Sequence, residues 1–426
     1  MMTGTDVGGA RGRPSTLWLV VLSVLGAVSV GWLLGWIWFD TWDTRQLDFA
    51  VYVLGAHHVI DGQLYHVGLP YAPYLPFTYP PIAALAFGPL ALLPHQTAQL
   101  VWAAVNVASL FGIIVLSLRA VRPDMDRTRV MLWSVVLLGP ACQLDPVRLT
   151  LYFGQVNLVL CLVLLIDLTT KLGCRGRTLP RGVLVGVAAA IKLIPLVFIP
   201  YLFVTGQARA AWTAIATFVG ISLLAAVLAP AVSWSYWTKY AFDASRVGNP
   251  SFVLNQSLQG TLDRLSHRDV SVVAVDVASV LVLVVGIALA WWAWRDSSPF
   301  LGLLVCATTG MVVSPITWEH HLVWTVPILL WLTLASDRPA GGPLWAAVVA
   351  AVLWWAPLQH VPSGGTRELH EHGWTLVAAN SFFALLVAFL AGVAVLLIVR
   401  RGRSAGPIRV PVREPPSPNA RTATTT

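Results

Sequence analysis

Apolar runs of 17–25 residues recur from Leu17 to Val399, separated by short polar breaks. Each is long enough to cross roughly 30 Å of hydrocarbon as a helix. Lipid offers the backbone no hydrogen-bond partners, so every run must satisfy its amides internally. The pattern predicts an all-α polytopic membrane protein with about 12 transmembrane helices, forming a single domain over residues 1–400. A polar insert, residues 40–81, follows a first helix at about 17–39. Within it Leu47, Val51, Leu54 and Val59 are apolar, with Asp48, Tyr52 and His58 elsewhere, which predicts a short helix lying along the membrane surface. The next apolar run, 82–93, holds only about 12 residues between Pro81 and Pro94. That is too short to span and reads as a re-entrant or surface helix.

Positive charge orients the chain. Arg11 and Arg13 put the N-terminus inside. Arg119, Arg122, Arg127 and Arg129 form the next inner cluster, so 40–81 lies outside and a single span, 98–118, returns. Further helices are expected at about 130–144, 155–170, 211–230, 270–294, 299–313, 343–357 and 375–399. A pair of short helices flanks Lys192-Leu193-Ile194-Pro195, and another span runs from the Ser314–His321 break to Arg338. Residues 231–269 form a large outer loop. By this count 19 of the 27 Lys and Arg lie inside, and 11 of the 19 acidic residues lie outside. The polar chemistry therefore belongs to the outer face. Residues 401–426, rich in Arg, Pro, Ser and Thr, read as a disordered cytoplasmic tail.

Composition narrows the function classes. The chain is 57% hydrophobic with a mean hydropathy of +0.73, which leaves no room for a soluble domain of ordinary size. The net charge of +8 sits mainly in short loops and tails, so it does not imply nucleic-acid binding. Cys142, Cys161, Cys174 and Cys306 show neither a disulfide framework nor zinc spacing. No glycine-rich phosphate loop is present.

Candidate chemistry concentrates in a few stretches. Asp48 sits at the start of the surface helix, where a partly desolvated carboxylate suits a general base. His58 lies on the same segment. Tyr79, in Phe77-Thr78-Tyr79-Pro80-Pro81, sits on backbone that the prolines make rigid. Glu319, His320 and His321 fall at an apolar boundary, where ionisable groups are often functional. Adjacent histidines project in different directions and have no spaced third ligand, so a metal site is not expected. Lys192, between two apolar stretches, should either snorkel or meet an anion. Gln155 opens one helix, and Asn255, Gln256 and Arg264 lie in the outer loop; amides there suit sugar hydroxyls, or caps and turns. A transporter or lipid flippase would gather its polar groups near the midplane. Here they gather at one face, which favours an enzyme.

The stretches LDFAVYVLGAHHVIDGQLY, LPFTYPPIAALAFGPLALLP, YFGQVNLVL, GVAAAIKLIPLVFIPYL, NQSLQGTLDRL and SPITWEHHLVW, spread over about 45–330, together resemble the actinobacterial polyprenol-phosphate-mannose-dependent α-(1→2)-mannosyltransferases of glycosyltransferase family 87, in the GT-C superfamily. The resemblance implies a GT-C fold in the plasma membrane with its site on the extracytoplasmic face. It implies an acidic catalytic residue in the first outer loop, matching Asp48, and a histidine on the outer hairpin, matching His321 or His320. It further implies a polyprenyl-phosphate-mannose donor and a mannoside glycolipid acceptor of the phosphatidylinositol mannoside, lipomannan or lipoarabinomannan kind. Transfer would invert the anomer, and no cofactor is expected. Asp40 and Asp43 are spaced DxxD, so the acid pair of many GT-C enzymes has no clean match here.

Overall fold

The computed structural model describes residues 46–70, 75–171, 173–174 and 177–404, together with residues 20, 21, 23–29, 31, 32 and 35 of the first apolar stretch, all of which are helical. Asp40, Asp43 and the expected tail beyond 404 lie outside the described residues. A helix forms where the surface helix is expected: α1, Leu47–His58, which buries Phe49, Val51, Tyr52 and Gly55. Asp48 falls in its first turn, where the helix dipole favours a carboxylate. A two-residue hairpin of β1, Gly68–Leu69, and β2, Leu75–Pro76, follows. The chain then enters α2, Pro81–Ala91, with Pro81 in its first turn, where the missing N–H costs nothing. Aromatic rings lock α1 in place: Phe49 packs on Phe87 and Trp102 with centroids 6.1 and 6.0 Å away.

α3, His95–Val121, is the first of the fully described helices long and apolar enough to cross a membrane, and α4, Arg127–Cys142, follows with Asp126 capping its first turn. The next stretch departs from the sequence reading. Residues 145–153, expected as an outer loop, form a second helix, α5, Asp145–Phe153, bent 80° from α4. Pro146 explains the break, because proline fits a first turn and not an unbroken helix. Gly154 ends α5 in a left-handed conformation at φ 67°, and a Cβ there would sit 2.7 Å from Phe49 Cβ. That turn delivers Gln155 and then α6, Asn157–Thr169. α7, Val183–Ile191, has its first amides taken by the buried carboxylate of Asp167. Pro195 then stops the helix, and a short 3-10 turn at Ile194–Val197 leads into α8, Phe198–Val204.

α9, Ala208–Leu228, leads to the 231–269 loop, expected from the charge pattern to lie outside. This loop is itself structured: α10, Pro230–Ser235, a π turn at Tyr236–Tyr240, and α11, Leu258–Ser266, capped by Ser257. α12, Val272–Asp296, and α13, Pro299–Val313, form a tight hairpin. Gly286 lies against Thr309, so any larger residue would force these helices apart. A 3-10 segment, Glu319–Trp324, precedes α14, Thr325–Leu334. α15, Gly342–Trp355, follows, and the last expected helix is broken at Asn380 into α16, Gly373–Ala379, and α17, Ser381–Ser404.

Among the described residues, five helices are long and apolar enough to cross a membrane, or six if α4 and α5 count as one. Four shorter apolar helices accompany them: α2, α6, Pro299–Val313 and the stretch Ile194–Val204. The protein is thus an all-α, multi-pass membrane protein. By this measure the described helices do not reach the expected count of 12, because several spans are interrupted.

Candidate functional site

The breaks in these helices converge on one cluster. Asp48, on α1, accepts a 2.6 Å hydrogen bond from the Gln155 side-chain amide. The carbonyl oxygen of that amide accepts from the hydroxyls of Tyr52 at 2.8 Å and Tyr79 at 3.1 Å. The Lys192 ammonium lies 3.4 Å from the Tyr79 hydroxyl, 2.9 Å from Asn157 Oδ1 and 3.0 Å from His321 Nε2. A continuous polar path therefore joins the Asp48 carboxylate to the Lys192 and His321 pair. Each member comes from a place where regular helix stops or starts. Asp48 is in a first turn, Gln155 follows the Gly154 turn, Asn157 opens α6, Lys192 is the C-cap of α7, and His321 is in the 3-10 segment.

The 3-10 segment is held from behind. The backbone carbonyl of His320 accepts from Thr150 Oγ1 on α5 and from Asn157 Nδ2 on α6, both at 3.0 Å. The bend of α4 into α5 is what brings Thr150 there. The rings of His320 and His321 lie edge to face at 5.0 Å. Both His320 ring nitrogens, His321 Nδ1 and Glu319 Oε2 are buried with no hydrogen-bond partner. Buried polar atoms left unpaired are costly, and substrate hydroxyls or water would relieve them.

Burial sets the protonation states. It pushes the Asp48 carboxyl above the usual carboxylate range, opposed among others by the Gln155 bond and the Lys192 charge. Burial also pushes Glu319 up to about 8 and His320 down to about 3. The His321 imidazole is driven well below its ordinary value, first by burial and then by Lys192. At neutral pH the hairpin thus presents two neutral imidazoles and a protonated Glu319. His321 Nε2 then accepts from the lysine, and its Nδ1 carries the hydrogen.

Beside Lys192 and His321 opens a cavity of about 470 Å³, counting its mouth. Its walls are apolar, including Leu160, Leu164, Phe198 and Trp324, and Asn157 joins the two charged or polar residues at one end. The arrangement can deprotonate a hydroxyl at Asp48, stabilise an anion at Lys192 and His321, and hold an apolar chain next to that anion.

Of the residues singled out in the sequence, Asp48, Tyr79, Gln155, Lys192, Glu319, His320 and His321 assemble here. The others do not join the cluster. His58 bonds Asp61 at 2.7 Å at the exposed end of α1. Asn255 bonds the backbones of Pro250, Pro315 and Thr317. Gln256 bonds those of Val253, Ala379 and Phe383. The fully buried Arg264 holds the carbonyls of Phe252 and Asn255 and the Asn380 side chain. Asn255 thus ties this loop to the segment that precedes His320 and His321, while Gln256 and Arg264 tie it to the helix break around Asn380. Sequence reasoning gave Thr150 and Tyr52 no role, their proximity to the candidates being the only signal, while Asn157 stood with Gln155 in a stretch whose amides suit sugar hydroxyls or caps. Among the described residues, no three His, Cys, Asp or Glu side chains cluster as metal ligands.

Comparison with known proteins places this architecture. The profile of glycosyltransferase family 87 matches residues 77–315. A polyprenol-phosphate-mannose-dependent alpha-(1-2)-phosphatidylinositol mannoside mannosyltransferase of Mycobacterium tuberculosis is 33% identical, covering 92% of this chain and 93% of the relative. A phosphatidylinositol pentamannoside mannosyltransferase of the same dependence, also from Mycobacterium tuberculosis, is 34% identical over 78% of this chain and 77% of the relative. Among solved structures, ArnT from Cupriavidus metallidurans bound to undecaprenyl phosphate covers 92% of this chain and 79% of its own, at 16% identity and a TM-score of 0.39, too distant to position a residue. With a profile spanning more than half its length and a relative matched nearly end to end, the chain belongs to glycosyltransferase family 87.

Proposed function

We propose that this glycosyltransferase moves mannose from a polyprenyl-phosphate-mannose donor to a mannosylated phosphatidylinositol glycolipid, forming an α-(1→2) linkage with inversion. The donor and acceptor classes follow the names of its relatives. The observation that carries the reading is the polar path from Asp48 to Lys192 and His321, ending beside an apolar cavity. Such a path places a base at one end and an anion site at the other.

In this mechanism the mannosyl C1 lies between the two ends. Asp48 takes the proton of the acceptor hydroxyl as its oxygen attacks C1 opposite the phosphate. The C1–O bond to the phosphate breaks, and a β-mannosyl phosphate becomes an α-mannoside. Lys192 and the Nδ1–H tautomer of His321 act on the donor phosphate oxygens, stabilising the charge that collects there. Gln155 fixes the carboxylate while Tyr52 and Tyr79 fix Gln155. The prenyl chain enters the apolar cavity from the lipid, so nothing soluble need cross the membrane. The wider framework proposed is a GT-C fold of about 12 membrane passes in the plasma membrane, with this site on the extracytoplasmic face.

The test is direct. Membranes bearing the protein are incubated with lipid-phosphomannose and phosphatidylinositol mannoside acceptors. The expected product is longer by one mannose and is trimmed by an α-(1→2)-specific mannosidase. Absence of any lengthened product from well-folded protein would overturn the reading.

A further inference from the structure

A second polar feature lies on the far side of Tyr79 and takes no part in the chemistry above. The Tyr65 hydroxyl donates to the Tyr79 carbonyl at 2.8 Å. The Tyr65 ring in turn stacks with Tyr236 at 5.8 Å and packs on Tyr240 at 4.8 Å. Tyr236 and Tyr240 open and close the π turn of the outer loop, a geometry found often at functional sites. Two cations share this aromatic floor. The Arg246 guanidinium carbon lies 4.5 Å from the Tyr240 ring centre and 5.6 Å from that of Tyr65. The Lys239 ammonium lies 5.1 Å from the Tyr240 ring centre. The two cationic heads are therefore no more than 9.6 Å apart.

Among the described residues, neither cation makes an ion pair with a carboxylate. Asp243, three residues before Arg246, instead accepts a 2.5 Å bond from the Ser245 hydroxyl. One nitrogen of Arg246 donates to the Tyr65 carbonyl, while its Nε is buried with no acceptor. Two like charges on one ring, one with an unused buried donor, form an arrangement that an anion completes. Trp234 and Phe242 flank the turn and are 74% and 86% exposed, as aromatics at a membrane interface are.

We infer that Arg246 and Lys239, on the Tyr65–Tyr240 floor, bind the phosphodiester of the acceptor glycolipid and so hold its headgroup while its terminal sugar reaches Asp48. The inference rests on the acceptor reading above. A phosphodiester has the right charge: its oxygens accept charge-assisted bonds of about 2.8 Å, and one phosphate can accept from both heads. The donor phosphate is not the ligand here, because its partners, Lys192 and His321, lie on the other side of Tyr79.

The experiment measures binding, so that it stands apart from turnover. Protein in zwitterionic lipid discs is titrated with a phosphatidylinositol mannoside and with an alkyl α-mannoside lacking phosphate, following tryptophan fluorescence. For Arg246→Met, affinity for the phosphodiester ligand is expected to fall about ten-fold or more relative to that for the alkyl mannoside, as for a lost charge-assisted bond. Lys239→Gln, at an exposed position with no hydrogen bond among the described residues, should lower the same ratio several-fold, and Arg246→Lys should retain part of it. A ratio unchanged in all three variants overturns the inference. So does an equal loss for both ligands, which would mark Arg246 as merely structural. Competition by phosphatidylglycerol as strong as by the glycolipid would assign the site to bulk anionic lipid and overturn the acceptor role. Mannose transfer by the unaltered protein reports separately on the proposed reaction.

Discussion

Lys192 offers the sharpest test of the proposed mechanism. Its ammonium has three donors, and in the structure all three are directed at Asn157, His321 and Tyr79. The residue is 9% exposed, so the head does not snorkel to water. Lys192→Met keeps the length and removes the charge. For the fold, the change leaves Asn157 Oδ1 and His321 Nε2 without a donor, at about 1–3 kcal/mol for each buried orphan. It also removes the cost of burying an ammonium, so the net change in stability should stay within about 2 kcal/mol. For catalysis, removing one preorganised donor from a developing anion costs about 10²–10³-fold. The loss should appear in kcat/KM for the lipid donor, with the acceptor KM little altered. Lys192→Arg should recover part of the activity, because charge returns with a different geometry. Initial rates against lipid-phosphomannose for the three proteins, each checked for a monodisperse elution and an intact melting transition, decide the matter. A Met variant with the donor dependence of the unaltered protein refutes the phosphate role.

Asp48→Asn keeps the size and the Gln155 contact region but removes the base, so turnover should fall about 10²–10⁴-fold in folded protein. Gln155→Leu removes a bond that stabilises the Asp48 carboxylate. The carboxyl should therefore hold its proton to higher pH, and the acid limb of the pH–rate profile should move upward; a limb that stays in place would detach Asp48 from the titration. Gly154→Ala should lower stability by about 1–3 kcal/mol, because φ is 67° and the added methyl meets Phe49. Thermal unfolding in detergent measures it, and an unchanged melting temperature would count against the described turn.

Much of this protein was legible in one dimension. Membrane character, the short helix carrying Asp48, the break at Lys192 and the polar hairpin at 314–321 all follow from apolar run lengths, prolines and isolated charges. Those features are local, and lipid enforces them residue by residue. The family resemblance was legible for the same reason, and membership of a glycosyltransferase family removes the transporter alternative. What the sequence could not supply was partnership. Asn255, Gln256 and Arg264 have the same side chains as sugar-binding residues would, yet the fold spends them on backbone carbonyls and amides. Gln155 has the same amide, yet it becomes the link between Asp48 and Tyr79. The difference lies in long-range geometry: α5 bends back from α4 by 80°, and the Gly154 turn aims one amide at Asp48, 107 residues distant along the chain. A side chain's chemistry is set by its type, but whether that chemistry is free for a substrate depends on what the tertiary fold has already bonded to it.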